Sequence, residues 1–404
     1  MSFAPATRRD HEPWGRLQKR ATAVREIRDE PDGPFGPGPV LTYGNGRSYG
    51  DACMNTRGVL LDARPRTRIL SFDAETGVIR AEAGILLDYV LAAVVPHGWF
   101  LPVTPGTRFV TLGGAIANDV HGKNHHVAGT FGRHVRGFEL VRSDGRRIVC
   151  GPDVEPEWFA ATVGGLGLTG TILWAELQLI PIANRGVTVR TVRFGGLSDF
   201  FALSAETSGD YAYTVSWIDC LARGAHLGRG RFMAGNHASA EDRVPRPRSR
   251  RLDVFVPPPV SLINRWSARA FNALYHRLPA APHAVVDYEP YFYPLDAVSR
   301  WNRIYGPRGF FQFQCVVPPE VGEEAIRELL VRIGNHGEAS FLVVLKEFGD
   351  LPSPGWLSFP RPGPTLALDF PNRGRSTRSL LTTLEQITME AGGALYPAKD
   401  ACMS

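Results

Sequence analysis

The sequence predicts an α+β protein of two domains, and three observations carry that reading. The chain has 404 residues, of which 44% are hydrophobic and 21% charged, enough to build more than one ordinary core. Residues 40–184 alternate short β-rich runs with tight turns and one or two helices. After Ile180-Pro181 the texture changes to strands rich in Val, Phe and Tyr at 186–220 and 284–371, with a helix near 319–335.

The elements follow in order. Val59-Leu60-Leu61-Asp62 reads as a strand. Ile69–Asp73 and Val78–Ala83 read as a hairpin, because Ala74-Glu75-Thr76-Gly77 puts small and polar residues between two β-rich runs. Leu86–Val95 suits a short helix closed by Pro96-His97-Gly98. In Ile172–Leu179, Leu173, Ala175, Leu177 and Leu179 share one face and Glu176 and Gln178 the other, the alternation of a half-buried strand. Residues 223–251 carry eight Arg against Glu241 and Asp242. With Val254-Phe255-Val256 and three prolines following, this reads as an insertion that is either a solvated loop or a lip for a phosphate or an anionic membrane surface.

Several classes are excluded or disfavoured. A formal net charge of +5 does not argue for nucleic acid. No run approaches the ~18 apolar residues of a membrane span, and the N-terminus lacks an apolar signal core, so the expected location is cytoplasmic or peripheral to a membrane. Five scattered Cys without CxxC spacing read as free thiols. Gly165-Leu-Gly-Leu-Thr-Gly170 matches GxGxxG but has a helix before it and a strand after it, the reverse of a dinucleotide fingerprint. His121, His125 and His126 lack a carboxylate or Cys at ligand spacing, and Lys123 would repel a cation, so no metal is expected.

Three glycine-rich turns remain: Gly44-Asn-Gly-Arg-Ser-Tyr-Gly-Asp51, Thr104-Pro-Gly-Thr107, and Val110 through Lys123. Successive backbone N–H groups in such turns form anion-binding concavities, and three of them suit a long ligand with a pyrophosphate. A second signal is the scarcity of Lys. Only positions 19, 123, 346 and 399 are Lys, against 41 Arg. Where Arg supplies generic charge, a retained Lys points to chemistry needing a compact, tunable ammonium.

The stretch from Tyr43 to Pro181 resembles the FAD-binding domain of the vanillyl-alcohol oxidase superfamily, the PCMH-type fold. GNGRSYGD, PVTPGTRFVTLGGAIANDVHGKNHH, GTFGRHV, ATVGGLGLTG, WNRIYG, FQFQ, VVLKEFG, LDFP and GGALYPAKD, in that order, are similar to the decaprenylphosphoryl-β-D-ribose 2-oxidase family over nearly all of residues 10–400. The resemblance implies a two-domain vanillyl-alcohol-oxidase-type flavoprotein. Residues 1–184 form the FAD-binding domain and 185–390 a substrate domain with an antiparallel sheet. Residues 391–404 return to the flavin site, shorter here than the family's tail. It also implies oxidation of the 2-hydroxyl of a polyprenylphosphoryl-β-D-ribose, with a separate NADH-dependent short-chain reductase completing epimerisation to the arabinose.

FAD contacts are expected from Gly44, Asn45, Gly46, Arg47, Ser48, Tyr49, Gly50, Gly106, Thr111, Gly113, Gly114, Asn118, His121, Ile172 and Tyr396. Many superfamily members bind FAD covalently through a His in the first glycine turn. Arg47 stands at that position, so FAD is expected to be non-covalent. Lys399 is expected to supply fixed positive charge or act as base, and His121 to act as base or orienter. Tyr49, Lys123, Trp217, Tyr293, Gln312, Gln314, Lys346 and Thr365 are the expected substrate residues.

Thr365 replaces a family Asn, and Ala367 a family Cys. These departures leave a second reading, a FAD-dependent oxidase of a free alditol, a sugar lactone or a nucleoside-type sugar. A third reading, a flavin-binding subunit without catalysis, predicts decay of residues 121, 123 and 399, which are intact.

Overall fold

A computed structural model describes residues 4–5, 11–17, 23–28, 35, 38–245 and 252–403. The first half is built on two main sheets, with a two-stranded pair of Trp99–Phe100 and Ile180–Pro181 beside them. Strands β1 (Ala23–Glu26), β2 (Val40–Tyr43) and β3 (Val59–Asp62) lie parallel, with β3 in the middle. A five-stranded antiparallel sheet follows, built from β4 (Ile69–Asp73), β5 (Val78–Glu82), β6 (Val135–Val141), β7 (Arg147–Cys150) and β8 (Thr171–Gln178), in the order β4-β5-β8-β6-β7. The β4–β5 hairpin turns where the small and polar residues predict it, with Gly77 at φ +69°. In β8 the alternation holds: Leu173, Ala175 and Leu177 are buried and Glu176 faces Arg80 across the sheet. Helix α1 (Leu87–Val94) buries Leu87, Val90, Leu91 and Val94, and Gly98 stops the chain beyond it in the left-handed region. Helix α2 (Leu112–Ala117) is capped by Thr111, whose hydroxyl accepts from the Gly114 N–H at 3.1 Å.

The second half is dominated by an eight-stranded antiparallel sheet, beside which Leu252–Asp253 and Val298–Ser299 form a short parallel pair. Its strands are β9 (Gly186–Phe194), β10 (Tyr213–Ile218), β11 (Gly230–His237), β12 (His283–Asp287), β13 (Phe310–Val316), β14 (Val343–Phe348), β15 (Gly363–Pro371) and β16 (Ala394–Leu395), in the order β12-β9-β11-β10-β14-β15-β13-β16. Helices α3 (Leu197–Thr207), α4 (Arg265–Arg277), α5 (Gly322–His336) and α6 (Arg375–Glu390) accompany it. Phe200, Leu329, Leu330 and Leu384 from three of them share a core with Phe313, Leu366 and Leu368 of the sheet. Because strand side chains alternate, Gln312, Gln314, Thr365, Ala367 and Asp369 point the other way, into a cavity. The architecture is thus α+β with two domains.

The Arg-rich insertion is corrected. Residues 230–237 form strand β11 inside the large sheet, and the nearby arginines are spent internally. Arg223 donates to the Gly334 carbonyl at 2.6 Å, Arg229 pairs with Asp219 at 2.9 Å, and Arg231 donates to the Tyr275 and Leu278 carbonyls. The excess of Arg at 223–231 therefore makes no open lip. Arg246–Arg251, the rest of that expectation, lies outside the described residues.

Candidate active site

The glycine turns, α2 and the exposed face of the large sheet enclose one cavity of about 780 Å³. All residues singled out above as cofactor- or substrate-binding line it except Gly50 and Tyr293. Gly50 is buried against the C-terminal segment instead: a Cβ there would overlap the Asp400 carbonyl. Tyr293 stands behind the wall formed by Phe292, Pro294 and Leu295, because its hydroxyl is held by Thr104 Oγ1 at 2.6 Å.

The first turn leaves β2 and bends at Gly46, which has φ +57° and no room for a side chain beside the Tyr43 hydroxyl. Asn45 Nδ2 donates to the Phe109 carbonyl at 2.7 Å and ties the first turn to the loop before α2. Arg47 lies 4.0 Å above the Trp14 ring, and its buried Nε has no protein partner. The second turn is clamped from the other domain. Thr107 Oγ1 donates to Asp296 at 2.7 Å, the Arg108 N–H donates to the same carboxylate at 3.0 Å, and the Arg108 guanidinium bridges Asp88 and Glu289. Gly106 faces open cavity.

The sheet register sets the opposite wall. Gln312 pairs with Asp369 across β13–β15, Gln314 with Ala367, and Lys346 with Thr365 across β14–β15. Gln312 Nε2 donates to Asp369 Oδ1 at 2.6 Å. Gln314 Nε2 lies 2.9 Å from His121 Nε2 and 3.3 Å from Thr365 Oγ1. Phe348 and Tyr396 ring His121 at 4.8 and 5.2 Å between centroids. Trp217 donates to the Phe341 carbonyl at 2.8 Å and meets Tyr275 edge-on.

The electrostatics are unusual. Every Lys of the described residues lines this cavity. Lys123 donates to the Tyr291 carbonyl and sits 4.2 Å from that ring's centroid; burial lowers its pKa to about 7. Lys346 donates to the Gly122 carbonyl at 2.7 Å, and burial, then Lys123 and Lys399, lower it to about 7. Lys399 lies 3.9 Å above the Tyr49 ring; burial lowers it to about 8 against the pull of Asp369. Burial raises Asp369 to about 7, with the Gln312 hydrogen bond and Lys399 opposing. His121 is pushed well below the usual imidazole range by burial, then by Lys346, His125 and Lys399, and is neutral. Burying ammoniums costs several kcal/mol each unless an anion compensates, so this cavity is built to receive negative charge.

Lys399 is held by backbone bonds from both sides. Tyr396 N–H donates to the Gln314 carbonyl at 3.0 Å, Lys399 N–H to the Tyr396 carbonyl at 3.0 Å, and Tyr49 N–H to the Ala398 carbonyl at 3.1 Å. The Tyr396 hydroxyl donates to the Asn118 carbonyl at 2.9 Å. The C-terminal segment thus joins the edge of the large sheet to the glycine turns.

The chain's residues fit FAD. A glycine-lined cradle, the partnerless Arg47 Nε and a surplus of buried cations suit a dinucleotide pyrophosphate. Sequence reasoning missed Asp369 and Asp296. Asp369 was legible, two residues after Ala367 on the same strand face. Asp296 carries no signal, since a loop places it.

The comparisons agree with this geometry. A family model for an FAD binding domain matches residues 37–151. A decaprenylphosphoryl-β-D-ribose oxidase from Mycolicibacterium smegmatis is 38% identical over 384 residues, 90% of this chain and 80% of that protein. The human Δ(24)-sterol reductase is 31% identical over 129 residues, 32% of this chain and 25% of its own. The mouse L-gulonolactone oxidase is 32% identical over 145 residues, 35% of this chain and 32% of its own. Fold and site define an FAD-dependent oxidoreductase acting on CH–OH groups. Within that class, the chain belongs to the decaprenylphosphoryl-β-D-ribose oxidase family.

Proposed function

We propose that this protein oxidises the ribose 2-hydroxyl of a lipid-phosphate-linked ribose to a ketone, and that a separate NADH-dependent short-chain reductase completes the epimerisation. The observation that carries this reading is the gathering of Lys123, Lys346 and Lys399 in one cavity, in a chain that otherwise uses Arg for positive charge. Of these three buried amines only Lys399 has a carboxylate, Asp369, favouring its charge, so the cluster lacks compensating anions and suits a phosphate-bearing substrate. Bound FAD supplies the hydride acceptor. Lys399 supplies fixed positive charge where negative charge develops, in a site where water does not screen it. The orientation of the Gln314 amide selects the His121 tautomer. Burial and the nearby lysines disfavour protonated His121, so it orients the hydroxyl: with the Gln314 amide oxygen toward Nε2–H, the unpartnered Nδ1 accepts from it, and with the NH₂ toward Nε2, Nδ1–H donates to it. Tyr49, Gln312, Lys346 and Thr365 face the sugar, and Trp217 walls its pocket.

Anaerobic titration with a short-chain prenylphosphoryl ribose tests the reading. That substrate should bleach the flavin absorbance, while xylitol and gulonolactone leave it unchanged. Faster bleaching by either free polyol or lactone would replace the phosphate reading.

Arg47 predicts the mode of attachment. A guanidinium does not form the bond that an imidazole makes to the flavin ring, so precipitation with trichloroacetic acid should leave the yellow colour in the supernatant. Colour in the pellet would contradict this.

A further inference from the structure

We infer that α4 and the loop before it form a docking face for an anionic lipid bilayer, set at the mouth of the cavity. This deepens the lipid-phosphate reading and rests on it for its purpose, but its test uses no turnover, so the two fail separately.

A surface helix normally turns polar residues outward. On α4 the outward face is apolar. Trp266, Ala270, Leu274 and Leu278 recur every four residues along one stripe, and Trp266 is 75% and Leu274 62% exposed. The opposite face carries Ala268 and Asn272, both buried, with Asn272 donating to Asp219 at 2.7 Å. The helix is firmly formed: Asn264 accepts from the N–H groups of Trp266 and Ser267, and Arg231 holds the last carbonyls. Its exposed apolar side chains are therefore not the fraying of a loose end.

The loop before the helix also exposes apolar residues, Val260 and Leu262 among them. Phe255 and Val256 are 71% and 77% exposed. They are not adrift, since Arg300 Nε donates to Asp253 at 2.7 Å and Arg303 donates to the Phe255 carbonyl. Exposed large apolar side chains in this number, on one stretch of chain, mark an interaction site.

Charge selects the occupant. Among the described residues 252–278 stand Arg265, Arg269 and Arg277 and one acid, Asp253, which is already paired with Arg300. Arg265 and Arg277 are exposed on α4 itself. Trp and Leu among arginines, on a helix that carries no acid, is the composition of a helix lying in the interface of an anionic membrane. The position adds a reason: Phe271 and Tyr275 of α4, and Val298 to Arg300 beside the loop, line the cavity. A substrate anchored in the bilayer by its lipid would enter past this face. No helix among the described residues is long and apolar enough to cross a membrane, so the contact is peripheral.

Co-sedimentation of the FAD-loaded full chain with vesicles tests this. Vesicles with about one third phosphatidylglycerol should bind at least ~10-fold more protein than pure phosphatidylcholine vesicles, with loss of binding in high salt. Trp266→Ser with Leu274→Ser should lower the partition coefficient ~10-fold or more, with flavin absorbance and helical circular dichroism unchanged. Trp356→Ser with Leu357→Ser, which removes exposed apolar side chains elsewhere, should bind as wild type. Equal binding to both vesicle types, an undiminished α4 variant, or an equal loss in the 356/357 variant would overturn the inference. So would self-association in sedimentation velocity abolished by the α4 changes, which would make the face a protein interface.

Discussion

Lys399→Ala should retain bound FAD and lose anaerobic reduction by the sugar substrate, with the rate constant falling ~10²–10³-fold, the scale of removing one preorganised electrostatic group. The cofactor cradle we propose is made of the glycine turns, Arg47 and α2, so deleting one ammonium on the opposite segment should leave most of its contacts. What disappears is fixed positive charge beside Tyr49 and Asp369. The sign of the pH dependence follows. Burial lowers Lys399 to about 8, so the cation is present below that value and lost above it. Wild-type reduction should therefore slow as pH rises through about 8, and that limb should be missing from the residual rate of Lys399→Ala. Stopped-flow absorbance measures both quantities. A variant that reduces its flavin at the wild-type rate would remove Lys399 from the redox centre.

How far the site was legible in the sequence depends on which physical signal a residue carries. Lys123, Lys346 and Lys399 announce themselves by scarcity, a signal independent of fold, and the described structure gathers them in one cavity. Gln312 and Gln314 share a strand face by their spacing, but spacing does not say whether that face meets solvent or a cavity. The register with Ala367 and Asp369 decides it. Tyr293 shows the opposite failure. An aromatic beside other aromatics has no marker for direction, and its hydroxyl turns to Thr104.

Among the elements, Val59–Asp62 and the hairpin were readable because turn chemistry brackets them. Helix α3 was hidden inside a stretch read as strands, since Phe200 and Phe201 have high strand propensity. Its local cap tells otherwise: Asp199 accepts from the N–H groups of Gly195 and Gly196 at 2.8 and 3.1 Å. Tertiary burial of Leu197 and Phe200 then settles the helix. Residues 223–231 misled because clustered Arg reads as a surface field, whereas each guanidinium found a carbonyl or carboxylate.

Gly50→Ala should abolish substrate oxidation as fully as loss of the lysine, although residue 50 does not line the cavity. A methyl at this position would lie 1.6 Å from the Asp400 carbonyl oxygen and 2.4 Å from its carbon. Both are backbone atoms, so no rotamer change relieves the overlap. The turn at 396–400 must shift, and the Tyr49 N–H to Ala398 carbonyl bond shifts with it. Lys399 sits inside that turn, and catalytic geometry is sensitive to displacements of ~1 Å. Overpacking of this kind costs about 1–3 kcal/mol, so the variant should also melt at a lower temperature. Lys399→Ala, by contrast, relieves a buried charge and should not lose stability on that account. The pair separates position from charge: both variants lose reduction, but only Gly50→Ala loses thermal stability. Gly209→Ala is the control, because nothing lies within 4 Å of a Cβ there. Differential scanning calorimetry and stopped-flow reduction read the two effects. A Gly50→Ala protein with wild-type melting temperature and rate would show that the C-terminal turn does not position the ammonium.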